Sequence, residues 1–376
     1  MIATVTSRQM IAQATITKGV ALVIGNTNYK VGSLPNGSND AKDMSDALKS
    51  LGFDVLLEQD VNLENLRSAI KSFGATAQAS GKVAIFYFSG HGIQVNGQNY
   101  LIPVDAKSMK EMDVNNKTVS LQTVFDALGS RTAPNIIILD ACRVNPFLSG
   151  ASEGWVKGLI APANPPSNSV IAFSTSPGSV AADGEGTHSP YTRALLKYMR
   201  RPGQNTDELF TKVRADVEDN TDNIQVPWEN TSLGSRTMLR DPVFIEAQFS
   251  SADDDALLMI NGQSVLDWNE NGAVKKRIQL QGGINDVVVK VYNQRSYTGG
   301  IPGLGGHLPE GWNYGLIMTK IDGTPLFPAL SGGEDHPADN GAHHGKLFTV
   351  ASMKIFVDEF ADNISVLSIN AAAWKQ

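Results

Sequence analysis

The chain has 376 residues, 41% of them hydrophobic and 18% charged, with a formal net charge of −7 and a pI near 5.4. That length points to two or three globular domains, and the acidic balance argues against nucleic acid or an anionic membrane as the main partner. No apolar run approaches the roughly eighteen residues of a membrane span, and a single cysteine, Cys142, rules out an intrachain disulfide. Residues 1–17 carry scattered polar side chains and no compact apolar stretch, so they read as an N-terminal extension and not as a signal peptide. The compartment stays open between the cytoplasm and export with a leader removed.

From residue 19 onward, short apolar runs alternate with helical patterns. GVALVIG (19–25) is a strand candidate, and apolar residues at 41, 44, 48 and 51 predict a helix over 39–50. FDVLLE (53–58) is a second strand, followed by a helical stripe of Leu63, Leu66, Ile70 and Phe73. KVAIFYFS (82–89) and NIIILD (135–140) are continuous apolar runs of strand length, with Leu121, Val124, Phe125 and Leu128 on one helix face between them. SVIAFST (169–175) is a fifth strand; Tyr191, Ala194, Leu195, Tyr198 and Met199, then Leu209, Val213 and Val217, continue at helical spacing. Strands apolar on both faces and separated by helices predict a mostly parallel sheet covered on both sides. GIQVNGQNYLIP interrupts that alternation, and its Asn-Gly predicts a small β-ribbon just after His91.

Beyond about residue 242 the helical stripes stop. DDALLMINGQSVLDW, VKKRIQLQGGINDVVVKVYNQ and NYGLIMTKIDG are alternating strands punctuated by Asn-Gly, Gly-Gly and Asp-Gly, which predicts an antiparallel β-sandwich, Ig-like or jelly-roll-like. The expected division is therefore an α/β domain over 18–241 and a β-sandwich domain over 242–376. Residues 299–345 read as long loops around one strand. His307, His336, His343 and His344 crowd those loops without regular ligand spacing, so no metal site is assigned to them. Asp253, Asp254 and Asp255 read as a turn or loop more than as a calcium site.

Open parallel sheets bind ligands beyond the carboxyl ends of their strands, and two runs end there on reactive residues. One ends on Ser89-Gly90-His91-Gly92, the other on Asp140-Ala141-Cys142-Arg143. Taken singly, Cys142 reads as a core residue, His91 as a turn residue, and Asp140 as a strand-end carboxylate bonded to local N–H groups. Taken together, a thiol, an imidazole and small residues that leave backbone N–H donors accessible are what thiol-dependent peptide hydrolysis needs.

The sequence resembles the caspase-like cysteine peptidases, above all the metacaspase and bacterial orthocaspase branch. YFSGHG is similar to that family's histidine motif and ILDACR to its nucleophile motif. LVIGNTNYKVGSLPNGSNDAKDM resembles its first strand and acidic loop, and IAFSTSPGSVAADGEGTHSPYTRALL with QVPWENTSL resembles its small-subunit portion. The resemblance spans residues 18–240. It implies His91 as general acid/base, Cys142 as nucleophile, and the N–H groups of Gly92 and Cys142 as the oxyanion hole. No third triad member is implied, and Arg143 matches a structural arginine.

Caspases that cut after aspartate carry a glutamine two residues before the cysteine; here that position is Asp140. The resemblance implies an anionic pocket of Asp140 and Asp40, with Ser89 as a polar wall, and such a pocket prefers Arg or Lys before the scissile bond. Gly37 stands where metacaspases often carry a cysteine. Asp183 and Glu185 lie in a loop that relatives place near the cleft, where they add negative charge or bind calcium; no cofactor is otherwise required. The connection 143–168 is rich in Gly, Ser and Pro, and a basic preference makes Lys157 a candidate self-cleavage site against the alternative of an ordered, uncut flap. The expected partner is a protein or peptide substrate, and the expected state a monomer. Three other readings stay open: an aspartate-directed caspase, a catalytically silent caspase-like scaffold whose β-domain binds, and a carbohydrate-binding protein led by the sandwich.

Overall fold

The computed structural model describes residues 18–107, 111–141, 155–156, 158–234, 237–252, 255–268, 275–292, 312–327, 330–334, 347–357 and 363–371. Cys142, Arg143, Lys157, Asp253, Asp254 and the four loop histidines from His307 to His344 lie outside the described residues. The chain divides into two units, Met1–Arg200 with Asn205–Met238, and Arg201–Gln204 with Leu239–Gln376.

In the first unit the elements follow in the order β1 (Gly19–Gly25), α1 (Gly37–Ser50), β2 (Phe53–Gln59), α2 (Leu63–Ser80), β3 (Val83–Ser89), β4 (Gly92–Val95) and β5 (Gln98–Leu101). A 3₁₀ turn (Glu111–Asp113) leads to α3 (Val114–Lys117), β6 (Val119–Ser120), α4 (Leu121–Leu128), β7 (Asn135–Asp140) and β8 (Trp155–Val156). Then come β9 (Ser169–Phe173), α5 (Pro190–Tyr198), α6 (Thr206–Asn220) and β10 (Trp228–Thr231). Six strands form one sheet in the order β2-β1-β3-β7-β9-β10, all parallel except β10.

The continuous apolar runs become the inner strands because both of their faces are covered. Leu22 and Ile24, Phe86 and Phe88, Ile137 and Leu139, and Ile171 and Phe173 pack with Leu66, Ile70 and Phe73 of α2 and with Val124, Phe125 and Leu128 of α4. The alternate residues, Tyr87 among them, face the opposite layer of α1, α5 and α6. Helix starts are set locally: the side chains of Asn62, Ser120, Ser189 and Asn205 each accept an N–H three residues on. β2, at the sheet edge, is only partly buried.

One helix–strand approach is unusually tight. A Cβ on Gly25 would lie 2.5 Å from the Ala41 Cβ and closer still to the Gly37 carbonyl oxygen, and a Cβ on Gly37 would collide with the Asn26 carbonyl. Position 37 therefore has no room for a side chain. The contact also draws the first turn of α1, with Asp40, over the carboxyl ends of β1 and β3. Gly25→Ala is expected to destabilise the protein by about 1–3 kcal/mol, because both obstacles belong to elements that cannot yield independently; a urea-unfolding midpoint unchanged from wild type would refute this.

The β-ribbon appears as expected. β4 and β5 pair antiparallel across Asn96 and Gly97, both at positive φ (50° and 79°), the requirement of a two-residue hairpin turn. They form a four-stranded sheet in the order β6-β5-β4-β8.

The second unit contains β11 (Val243–Ala252), β12 (Asp255–Ile260), β13 (Gln263–Trp268), β14 (Lys275–Leu280), β15 (Gly283–Tyr292), β16 (Trp312–Lys320), β17 (Leu330–Glu334), β18 (Leu347–Val357) and β19 (Ile364–Ala371). Two antiparallel sheets, β14-β11-β16-β17 and β13-β12-β15-β18-β19, share one apolar core that includes Phe249, Leu258, Val289, Leu316 and Ile355. Residues 299–345 hold two strands, β16 and β17, where one is expected, because the alternation in Leu330–Glu334 is diluted by two glycines. Asn285 is fully buried and ties two turns together: it accepts from Gln281 N–H and Asn261 Nδ2, and donates to the Gln281 and Gly283 carbonyls.

Candidate active site

The strand order places the site. From β1 the chain steps to β2 on one side and then crosses to β3 on the other, so the direction of winding reverses between β1 and β3. Ligand crevices in such sheets open at that reversal, beyond the carboxyl ends. Register then aligns the reactive segments. Gly25 pairs with Ser89, and Ser89 pairs with Asp140. His91 and Cys142 each follow those paired residues by two positions.

The two exits stay in contact. The Gly90 N–H donates to the Asp140 carbonyl at 3.2 Å, and a Cβ on Gly92 would lie 2.6 Å from the Ala141 carbonyl oxygen and 3.1 Å from Leu159 Cδ2. Glycine at position 92 is thus a requirement of close approach. The Ile102 N–H bonds to the His91 carbonyl at 3.0 Å, which makes Gly92 and Leu101 the wide, non-hydrogen-bonded pair of the hairpin. The Gly92 N–H is accordingly directed away from β5.

His91 is buried and held by groups that sequence reasoning misses. Its ring meets that of Tyr29 edge-on at 4.4 Å and 61°. The Tyr29 hydroxyl accepts the His91 backbone N–H at 2.8 Å and donates to the Ile102 carbonyl at 3.1 Å. His91 Nε2 lies 2.5 Å from the Gly32 carbonyl oxygen. A carbonyl only accepts, so Nε2 carries the proton and, in the neutral ring, Nδ1 carries the lone pair. The loop that delivers Tyr29 and Gly32 is itself pinned by Asp60, whose Oδ1 accepts the N–H groups of Thr27 and Asn28 at 2.7 and 2.8 Å. A tyrosine four residues past the end of the first strand was the available signal, but nothing local says that it returns to His91.

The acidic residues come together behind this point. Asp40 and Asp140 are both fully buried. The Ser89 hydroxyl donates to Asp40 Oδ2 at 3.2 Å, and Asp40 Oδ1 accepts the Ser189 N–H at 3.3 Å. Asp140 Oδ2 accepts the hydroxyls of Ser189 and, at 2.9 Å, Thr192, so it lies at the amino end of α5, a favourable place for a carboxylate. Asp183 is bonded to Asn36: its Oδ2 accepts the Asn36 N–H at 3.2 Å and its carbonyl accepts Asn36 Nδ2 at 2.7 Å, fastening its loop to the start of α1.

His188 is the residue to which sequence reasoning gives no role. Its Nδ1 lies 3.0 Å from Asp40 Oδ1 and its Nε2 lies 3.2 Å from Asp43 Oδ2. Among the described residues no group of three His, Cys, Asp or Glu side chains is arranged to hold a metal ion.

Beneath the carboxylates, the Tyr87 hydroxyl is 2.6 Å from Thr192 Oγ1. Burial, and then the charges of Asp40 and Asp140, push its phenol well above the ordinary value. A raised phenol stays protonated in the folded chain after the unfolded one has lost its proton, so its stabilising contribution is complete below about pH 10 and is lost as pH rises beyond. Tyr87→Phe is expected to cost about 0.5–1.5 kcal/mol at pH 8. That deficit should shrink between pH 10 and 11; a constant deficit in urea unfolding at both pH values would contradict the assignment.

Residues 18–238 match the family model described as the caspase domain. The chain belongs to the caspase-domain family. It is 25% identical to mouse caspase-4 over 235 residues, covering 55% of this chain and 60% of that protein. It is 28% identical to human mucosa-associated lymphoid tissue lymphoma translocation protein 1 over 126 residues, or 33% of this chain and 15% of that one. Pig caspase-1 is 26% identical over 155 residues, 38% and 34% of the respective lengths. The chain spans less than two thirds of each of these relatives. A caspase domain supports a cysteine-peptidase kind of function, and the mostly parallel sheet with flanking helices, followed by antiparallel sheets, is the architecture expected of a caspase-like domain with a β domain after it. No helix among the described residues is long and apolar enough to cross a membrane.

Proposed function

We propose that the caspase domain is an endopeptidase that cuts after Arg or Lys, with His91 and Cys142 as its catalytic pair. The observation that carries the pairing is the register of β3 with β7, together with the Gly92–Ala141 contact. Those two features bring the segment bearing His91 against the residue that precedes Cys142. In this reading the Cys142 thiol gives its proton to His91 Nδ1, and the thiolate attacks the peptide carbonyl carbon. The developing oxyanion is held by the N–H groups of Gly92 and Cys142. The imidazolium of His91 then protonates the departing amine as the C–N bond breaks, leaving a thioester; water, deprotonated by His91, releases the acid and the free thiol. Every group in these steps belongs to the chain, and the enzyme acts as a monomer on a protein or peptide.

The basic preference rests on charge. Asp40, Asp43 and Asp140 cluster at the ends of β1, β3 and β7, with the Ser89 hydroxyl beside Asp40. An aspartate side chain entering there meets like charge, whereas a guanidinium or ammonium meets acceptors. On this reading the chain falls with the metacaspase-like branch of the family.

The test is hydrolysis of matched fluorogenic peptides ending in Arg, Lys or Asp, with and without calcium, with Cys142→Ala as control. Cleavage after Arg or Lys that disappears in the variant is the expected result, and calcium dependence would assign an activator role to that ion. Cleavage after Asp alone would overturn the pocket and retain the catalytic pair. No cleavage by folded protein would favour the scaffold. Intact chains after prolonged incubation of active enzyme would exclude processing at Lys157.

A further inference from the structure

We propose that His188 is a displaceable cationic cap on the specificity pocket, holding on Asp40 the place that a substrate's basic side chain must take. The inference rests on the Arg/Lys reading of that pocket and adds a residue that sets how it accepts substrate.

Geometry fixes the protonation state of the cap. Both ring nitrogens of His188 lie at hydrogen-bond distance from carboxylate oxygens, Nδ1 from Asp40 and Nε2 from Asp43. Ionised carboxylates only accept, so both nitrogens donate and the ring is an imidazolium. Asp40 is fully buried, while the His188 side chain retains 18% of its exposure and Asp43 45%. The imidazole is thus the layer between the buried carboxylate and solvent.

The His188 loop is anchored on either side. On one side Asn36 holds Asp183; on the other, Ser189 is bonded to Asp40 and Asp140 and caps α5 through the Thr192 N–H. Between these anchors Gly184 adopts φ +85°, where a Cβ would lie 2.6 Å from the His188 carbonyl oxygen. His188 therefore belongs to a short loop fastened at both ends, and its side chain can swing out without unravelling the helix behind it. The charged and titratable groups facing it are Asp40 and Asp43 of α1, with Lys42 on the other oxygen of Asp43. Asp140 and Tyr87 stand behind Ser189 and Thr192, and Asp183 and Glu185 lie on its own loop.

Exchange of imidazolium for guanidinium is cation for cation, so it leaves no buried carboxylate uncompensated. The two cations compete for the same carboxylate, so removing the cap should ease entry of a basic substrate, and a guanidinium fixed in its place should oppose entry.

The experiment measures KM and kcat for an Arg-ended fluorogenic peptide from pH 5.5 to 8.5 on the full chain, for wild type, His188→Ala and His188→Arg. A second measurement follows the His188 ring resonances of the Cys142→Ala protein as an Arg-ended product peptide is added. Throughout that range KM is expected to be about tenfold lower for His188→Ala than for wild type and about tenfold higher for His188→Arg, with the differences falling on KM and not on kcat. The product peptide should shift the His188 resonances. Hydrolysis after Arg with the same KM profile in all three proteins, or His188 resonances indifferent to the peptide, would overturn the cap and leave the pocket reading intact. Failure of wild type and His188→Ala alike to cleave after Arg or Lys, with cleavage after Asp, would overturn the pocket reading and the cap with it.

Discussion

His91→Ala is expected to lower kcat/KM for an Arg-ended peptide by about a hundredfold to ten-thousandfold, the ordinary contribution of a positioned general acid/base. The Gly32 carbonyl on Nε2 presets the tautomer that leaves Nδ1 basic, so the loss removes both the acceptor of the thiol proton and the donor to the leaving amine. The fold should survive. What goes is an edge-on aromatic contact with Tyr29, worth about 0.5–1.5 kcal/mol, and the Nε2 bond to the Gly32 carbonyl, worth about as much, while the bonds that the His91 backbone N–H and carbonyl make to Tyr29 and Ile102 persist. Activity within tenfold of wild type, in a variant whose unfolding midpoint is near normal, would remove His91 from the chemistry.

Gly92→Ala tests the juxtaposition itself. The added methyl would stand 2.6 Å from the Ala141 carbonyl oxygen and 3.1 Å from Leu159 Cδ2. Leucine can turn aside, but Ala141 is the backbone immediately before Cys142 and follows a fully buried strand. One strand exit must therefore move relative to the other. A displacement of about 1 Å between reacting groups costs on the order of a hundredfold in rate, and the crowding itself about 1–3 kcal/mol of stability. The expected outcome is kcat/KM reduced at least about a hundredfold in a protein that still unfolds cooperatively. Wild-type kinetics would mean that the His91 and Ala141 segments do not share a reaction centre.

Much of the fold was legible because its signals are local. Continuous runs such as VAIFYFS and NIIILD become inner strands since both faces are covered, and the stripe Leu121, Val124, Phe125, Leu128 is buried in full on α4. Asn96-Gly97 makes the turn its residue types favour. The reactive motifs were legible for the same reason: Gly90-His91-Gly92 and Asp140-Ala141-Cys142 are consecutive residues at the ends of recognisable strands.

The supports of the site were not legible, because they arrive from distant parts of the chain. Tyr29 reaches His91 across 62 positions, and His188 reaches Asp40 across 148. Neither lies in a pattern with a period, and a histidine before Ser-Pro has no local signature of a carboxylate partner. The resemblance implies an anionic pocket of Asp40 and Asp140; in the structure both carboxylates are buried and already bonded, and His188 lies against Asp40.

Which segments are strands and helices, that a parallel sheet precedes an antiparallel one, and which two strands end near reactive side chains can all be read along the chain. Those follow from side-chain period, turn chemistry and composition, all of which act over a few residues. Only the tertiary structure decided that Ser89 and Asp140 are register partners, that Gly37 must be glycine because the Asn26 carbonyl fills the space, and that a histidine stands on the carboxylate expected to receive substrate. Each of these is a contact between surfaces far apart in the chain, created when close packing brings strand ends and helix starts to the same edge of the sheet.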